Sequence, residues 1–243
     1  MDAYDPGPDL LAGRTILVTG AADGIGAAVA KACAAHGAVV VLSDKEQRHL
    51  EPLYDAIEAN GAREPAILPL DLEAADEGLC AAAAGVVRDA YGGLDGLAHC
   101  AAFAPFLSRV DDYDPGEWER VLRINLTAPF LLTQACLPLL RASPDASVVF
   151  TSDRVGRRGL AYWGAFSAAK FGIEGLMQTL AEEVEGTGTL RANSLDPGIV
   201  RTGLRARLYP CEDPGGLAPP ETVANRYLYL LGPDARGVNG RSL

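Results

Sequence analysis

The stretch Thr19-Gly20-Ala21-Ala22-Asp23-Gly24-Ile25-Gly26 has the residue types and spacing to cradle a phosphate. It follows a short apolar run at residues 15–18 and opens an alanine-rich helical segment. Glycines at a strand-to-helix turn permit a tight bend, a close backbone approach to a pyrophosphate and close packing of helix on strand. A glycine-rich turn can also be purely structural, and its place in the first βαβ unit is what supports the binding reading. Asp44 falls at the end of the second strand. A carboxylate there accepts hydrogen bonds from an adenosine ribose diol and repels a 2′-phosphate, which favours NAD over NADP. Lys45 next to it softens that preference, because a cation tolerates the phosphate.

Short apolar runs and amphipathic, alanine-rich stretches alternate along the whole chain. Strands are expected at residues 15–18, 39–42, 66–70, 94–98, 147–151 and 189–194. Helices are expected near 25–36, 45–60, 74–91, 116–140, 162–185 and 220–231. This alternation predicts an α/β fold, a doubly wound parallel sheet with helices on both faces. Gly37 and Gly61 stand where helix C-terminal caps want positive φ, and Asp114-Pro115-Gly116 marks the entrance to the long fourth helix. One domain accounts for 1–243, with 1–12 as an N-terminal extension and 199–218 as a substrate-covering segment. The closing residues Gly240-Arg241-Ser242-Leu243 open a last strand that is short or missing.

The glycine spacing TGxxxGIG resembles the short-chain dehydrogenase/reductases, NAD(P)-dependent oxidoreductases built on one Rossmann domain. The resemblance spans nearly the whole chain. It implies cofactor contacts at Gly20, Asp23, Gly24, Ile25 and Gly26, with Asp71-Leu72 as the pair at the adenine. Asn125 in Arg123-Ile124-Asn125-Leu126-Thr127 looks like the helix asparagine of the family's catalytic tetrad, and Lys170 like its lysine. Pro197, Gly198, Ile199 and Thr202 look like the segment that holds the nicotinamide end. The fourth-strand motif NNAG reads here His99-Cys100-Ala101-Ala102, which puts Cys100 and Ala101 beside the cofactor and Ala102 in place of a glycine. The resemblance also implies a homodimer or homotetramer, paired through the helices at 116–140 and 162–185.

The reacting positions depart from the family. The tyrosine expected four residues before Lys170 is Phe166, and the serine expected about thirteen before that is Asp153, with Ser152 one position short. Phenylalanine neither gives nor takes a proton, and losing a positioned acid/base costs about 10²–10⁴ in rate. Losing the serine hydroxyl removes a donor to the substrate oxygen, worth roughly 10²–10³. An ionised Asp153 repels a developing oxyanion, and only a raised pKa would turn it into a donor. Several readings stay open. Lys170 could hold the cofactor ribose or pair with Asp153, and Asn125 could simply bond a neighbouring carbonyl. Tyr162 could supply a hydroxyl from one turn earlier on the same face, and Cys100 could be a nucleophile or inert packing. Arg201, Arg205 and Arg207 could hold an acidic substrate, contact the pyrophosphate or be solvated.

Composition narrows the classes. The 243 residues are 49% hydrophobic and 22% charged, with 21 Lys plus Arg against 32 Asp plus Glu, a formal charge of -11. That balance argues against a nucleic-acid or anionic-membrane partner, which needs clustered positive charge. The five scattered cysteines and three histidines show no metal-ligand spacing, and the thiols suit a reducing compartment. The N-terminus lacks the apolar core of a signal peptide, and no window reaches a membrane span, so a cytoplasmic protein acting on an unidentified small molecule is expected. Three functions follow: an oxidoreductase with substituted acid/base groups and weak or lost alcohol/ketone chemistry; a non-catalytic NAD-binding protein; or a lyase or isomerase using Asp153 as base.

Overall fold

The apolar runs form six strands: β1 (Thr15–Thr19), β2 (Val39–Asp44), β3 (Ala66–Pro69), β4 (Gly96–His99), β5 (Ala146–Thr151) and β6 (Leu190–Leu195). They come from a computed structural model that describes residues 4–243. All pair in parallel in the order β3-β2-β1-β4-β5-β6. The chain leaves β1 in one direction and returns at β4 to build in the other, so a crevice opens beyond the C-terminal ends of these two strands. β1 and β5 are buried along their whole length, which is why they read as continuous apolar runs rather than alternating ones.

Helices cover both faces. On one side α1 (Gly24–Ala35), α2 (Gln47–Ala59) and α8 (Glu221–Leu231) pack through Val29, Leu50 and Leu228. On the other, α3 (Glu77–Tyr91), α5 (Ala128–Ala142) and α6 (Gly164–Val184) pack through Val87, Leu132 and Met177. A third, smaller cluster sits above the sheet at its C-terminal edge. It joins Ala104, Val121, Val155, Trp163, Ala165 and Phe166, with the short helix α7 (Gly203–Leu208) resting on it through Leu204 and Leu208.

The punctuation residues behave as their chemistry dictates. Gly37 and Gly61 have φ of 93° and 73°. Asp114 accepts from the Glu117 N–H at 2.8 Å and so caps α4 (Pro115–Leu122), with Pro115 in its first turn. Two helix expectations need correction. The segment 116–140 is not one regular helix: α4 and α5 are joined by a π-helical turn, Arg123–Thr127, where the Ala128 N–H reaches back to the Arg123 carbonyl. The helix expected from 162 begins at Gly164, because Tyr162 has φ 74° and cannot join it. The segment 199–218 contains α7, a helix outside the expectation. The C-terminal residues add one bridge, Ser194 to Ser242, in keeping with a last strand that is short or missing. Of the region 1–12, residues 1–3 lie outside the described residues, and Leu11 is a fully buried core residue.

Candidate functional site

One cleft of about 430 Å³ runs across the C-terminal edge of the sheet, and every residue expected to hold a cofactor lines it. Its floor at one end is the glycine turn. A Cβ on Gly26 would lie 2.0 Å from the Gly20 carbonyl oxygen, and one on Gly20 would lie 2.6 Å from the Ala101 Cα. Only glycine lets α1 start this close to the sheet, and that closeness aims the helix N-terminus into the cleft. Asp23 caps the helix, accepting from the Gly24 N–H at 2.6 Å.

Asp44 stands at the far end. Its Oδ2 accepts from the Ala22 N–H at 3.2 Å and its Oδ1 from the Lys45 N–H at 2.7 Å, which braces the glycine turn. Each oxygen keeps acceptor capacity for a ligand hydroxyl. The Lys45 ammonium lies 3.0 Å from Asp71 and 3.9 Å from Glu73, so its charge is shared between two carboxylates.

The reaction end is built by α6 and by the loops after β4, β5 and β6. Phe166 and Lys170 are one helical turn apart on the buried face of α6. Lys170 is 2% exposed, donates from Nζ to the Thr151 carbonyl at 2.6 Å, and lies 5.3 Å from the centre of the Phe166 ring. Burial lowers its pKa to about 8, against the nearby Asp153 charge. The direct Lys170–Asp153 ion pair weighed from the sequence is not made among the described residues. Asp153 accepts only from the Val155 N–H, through Oδ1 at 2.9 Å. Burial and the neighbouring Asp196 raise its pKa above the ordinary carboxylate value, against the Val155 bond and the Lys170 charge.

Other candidates resolve clearly. Ser152 does not stand in for the missing serine: it is buried and donates to Glu174 at 2.5 Å. Tyr162 does not supply a shifted hydroxyl, since it precedes the helix, is 55% exposed and does not line the cleft. Cys100 lines the cleft, and burial pushes its thiol to about 12, which disfavours the thiolate that a nucleophile needs. His99 is buried, stacks on Phe150 and meets Thr133 at 2.9 Å; burial drives its pKa to about 3, so it stays neutral. Asn125 is 1% exposed and does not reach the cleft lining. It accepts from the Phe103 N–H and donates to the Phe103 and Val121 carbonyls, pinning the loop after β4. Ala102 packs its methyl against the Trp163–Phe166 cluster.

Some lining residues escaped sequence reasoning. Phe103 and Trp163 wall the reaction end, and Asp196 adds a second carboxylate near Asp153. Trp163, one turn before Phe166, carried a readable signal; Phe103 carried none, because its place depends on Asn125. Arg205 is not free for an acidic substrate: it is bidentate to Glu212 at 2.6 and 2.7 Å and stacks on Tyr209.

The family model for short chain dehydrogenases matches residues 14–213. The chain belongs to that family. A short-chain dehydrogenase from Pseudomonas syringae is similar in structure, with a TM-score of 0.97, 48% identity, and 99% of this chain and 97% of that one covered. A short-chain dehydrogenase from Shigella flexneri 2a, solved in complex with NADP, has a TM-score of 0.94 and 41% identity, covering 97% and 98% of the two chains. The Escherichia coli K12 oxidoreductase YciK is 41% identical over 98% of this chain and 93% of its own length. In this short-chain dehydrogenase, neither Asp153 when ionised nor Phe166 offers a hydrogen-bond donor to the cleft that both line.

Proposed function

We propose that this short-chain dehydrogenase binds a nicotinamide dinucleotide, prefers NAD, and transfers hydride to or from ordinary alcohols and ketones weakly or not at all. The fit to a dinucleotide is supported by the glycine cradle, in which Gly20 and Gly26 leave no room for a side chain beside the open N-terminus of α1. The turn would take the pyrophosphate, Asp44 the adenosine ribose, Asp71 and Leu72 the adenine, and residues 197–202 with Lys170 the nicotinamide end. Bound there, the dinucleotide supplies the hydride acceptor or donor. NAD is favoured because the Asp44 carboxylate keeps acceptor sites and Lys45 is already shared by Asp71 and Glu73. The NADP in the Shigella flexneri chain is the competing precedent.

The observation that carries the weak-carbonyl reading is Phe166 buried on α6 one turn from Lys170, where a hydroxyl would have to stand. No neighbouring hydroxyl replaces it, since Ser152 is committed to Glu174 and Tyr162 points elsewhere. Self-association through α5 and α6 is part of the same reading, and Phe130 and Phe171 on these helices are 42% and 47% exposed.

Calorimetric titration with NAD and NADP tests the cofactor half, and NAD is expected to bind about tenfold tighter, equivalent to ~1.4 kcal/mol. A ketone-reductase assay before and after the double change Asp153→Ser and Phe166→Tyr tests the chemistry. Gain of activity in the double variant supports the reading. Strong ketone turnover by the unaltered protein sinks it, and tight binding with no gain makes the protein a dinucleotide-binding module instead.

A further inference from the structure

Two departures at the reaction end point the same way in charge. The family's reaction builds negative charge on a substrate oxygen, and donors must meet it. Here one position carries the Asp153 carboxylate, whose Oδ2 has no hydrogen-bond or ion-pair partner among the described residues and which lines the cleft. The other carries the Phe166 ring, which with Trp163 and Phe103 makes an aromatic wall. Aromatic faces and an unpaired carboxylate both attract cations. Cations already sit on two of these rings: the Arg120 guanidinium 4.3 Å from the Phe103 centroid and the Lys170 ammonium 5.3 Å from that of Phe166.

We propose that the substrate of this centre is an organic cation, an iminium whose C=N⁺ carbon accepts the hydride, with the resulting amine as product. This rests on the dinucleotide reading above and names the substrate class for that same site. The substrate carbon gains a hydride and the C=N π pair becomes the nitrogen lone pair; a reduced nicotinamide dinucleotide is the donor and ends oxidised. No proton moves. A hydroxyl acid is therefore needless, and the absence of one at Phe166 removes nothing from the reaction. Asp153 holds the positive charge in the ground state and steers the nitrogen end toward β5, while the rings exclude water from the carbon.

The charges of Lys170 and Arg154 act on Asp153, but neither forms an ion pair with it among the described residues. Arg205 is neutralised by Glu212, Arg154 is exposed, and Lys170 is turned onto the Thr151 carbonyl. Asp196 adds a negative charge on the same side. Burial also lowers the Lys170 pKa to about 8, so its repulsion of an iminium fades only above that pH.

The test uses an N-methyl cyclic iminium salt, whose charge does not vary with pH, and the neutral bicyclic ketone of the same shape. In a binding readout, quenching of Trp163 fluorescence is followed as each probe is titrated in, with oxidised dinucleotide present so that no turnover occurs. A Trp163→Phe control assigns the signal. The iminium is expected to bind at least about tenfold tighter than the ketone, and Asp153→Asn, which keeps the acceptor for the Val155 N–H, is expected to erase the difference. In a turnover readout with reduced dinucleotide, net of the reaction without protein, the iminium is expected to be reduced about 10²-fold faster than the ketone. Equal binding of the two probes, or a preference for the cation that survives Asp153→Asn, overturns the proposal while calorimetric dinucleotide binding leaves the cofactor reading standing. Absence of dinucleotide binding overturns both.

Discussion

β5 has a carboxylate at each end, and the two live in opposite surroundings. Asp145, just before the strand, is paired with Arg191, with Arg14 at 2.9 Å and with Arg236 at 3.2 Å. Burial alone would raise its pKa, but the hydrogen bonds and charges of Arg191 and Arg14 outweigh that and hold it below the ordinary carboxylate value. Asp153, just after the strand, has one backbone donor and a neighbouring like charge, and its pKa is raised. The same residue type on the same strand is a structural rivet at one end and a destabilised, ligand-ready group at the other. Perturbed, poorly paired carboxylates concentrate at functional sites, so the contrast helps to separate folding from function.

The largest difference should appear in stability. Asp145→Asn leaves buried guanidinium groups facing a neutral amide and should cost about 3–5 kcal/mol, read as a lowered denaturation midpoint. Asp153→Asn should cost nothing or stabilise slightly, and equal losses at both positions would end the comparison. The signs differ with pH as well. Because the folded pKa of Asp145 is depressed, its contribution is present at neutral pH and lost as pH falls through that value. Asp153, with a raised folded pKa, favours folding when protonated, and its cost enters as pH rises through its folded value.

Next in size is the chemical rescue. Asp153→Ser with Phe166→Tyr should raise kcat/KM for a ketone by about 10²–10⁴. Phe166→Tyr alone should give far less, because the two positions act as a unit and the carboxylate still repels an oxyanion.

A smaller effect concerns pH and a permanently charged iminium. Its affinity should rise as Asp153 ionises and rise again above pH about 8 as Lys170 loses its proton. The other groups near Asp153 are Asp196, Arg154 and Arg205. His99 behind Lys170 stays neutral throughout. Asp153→Asn should remove the first rise and Lys170→Met the second, each by a few-fold at an effective interior dielectric. The smallest effect is a control inside the sheet: Tyr227→Phe removes the 2.8 Å bond to Thr151 and should cost about 1 kcal/mol without changing the preference for cation over ketone.

The fold was legible because its signals are local and repeated. Buried parallel strands read as unbroken apolar runs, and Gly37, Gly61 and Asp114 mark turns and caps by their own chemistry. The glycine turn was legible for the same reason, since Gly20, Gly26 and Asp44 pack together within one βαβ unit. The reaction end was legible only in part. The family resemblance expects a tyrosine and a serine where Phe166 and Asp153 stand, but whether Lys170 pairs with Asp153 depends on where the β5 carbonyls point, which no local pattern encodes. The π-helical turn at Arg123–Thr127 and the left-handed Tyr162 were likewise invisible, because tertiary contacts impose both.

The π turn bears on how the walls of the cleft are held. By delivering Asn125 to the backbone of Phe103, it gives the loop after β4 the rigidity of a paired strand. The opposite wall is α7, which leans on the cluster through Leu204 and Leu208 and is anchored in its own segment by Arg205–Glu212 and the single bridge from Val200 to Ala218. The two walls of the cleft are thus held by different chemistry: one by three side-chain bonds from a single amide, the other by the apolar face of a six-residue helix and one ion pair.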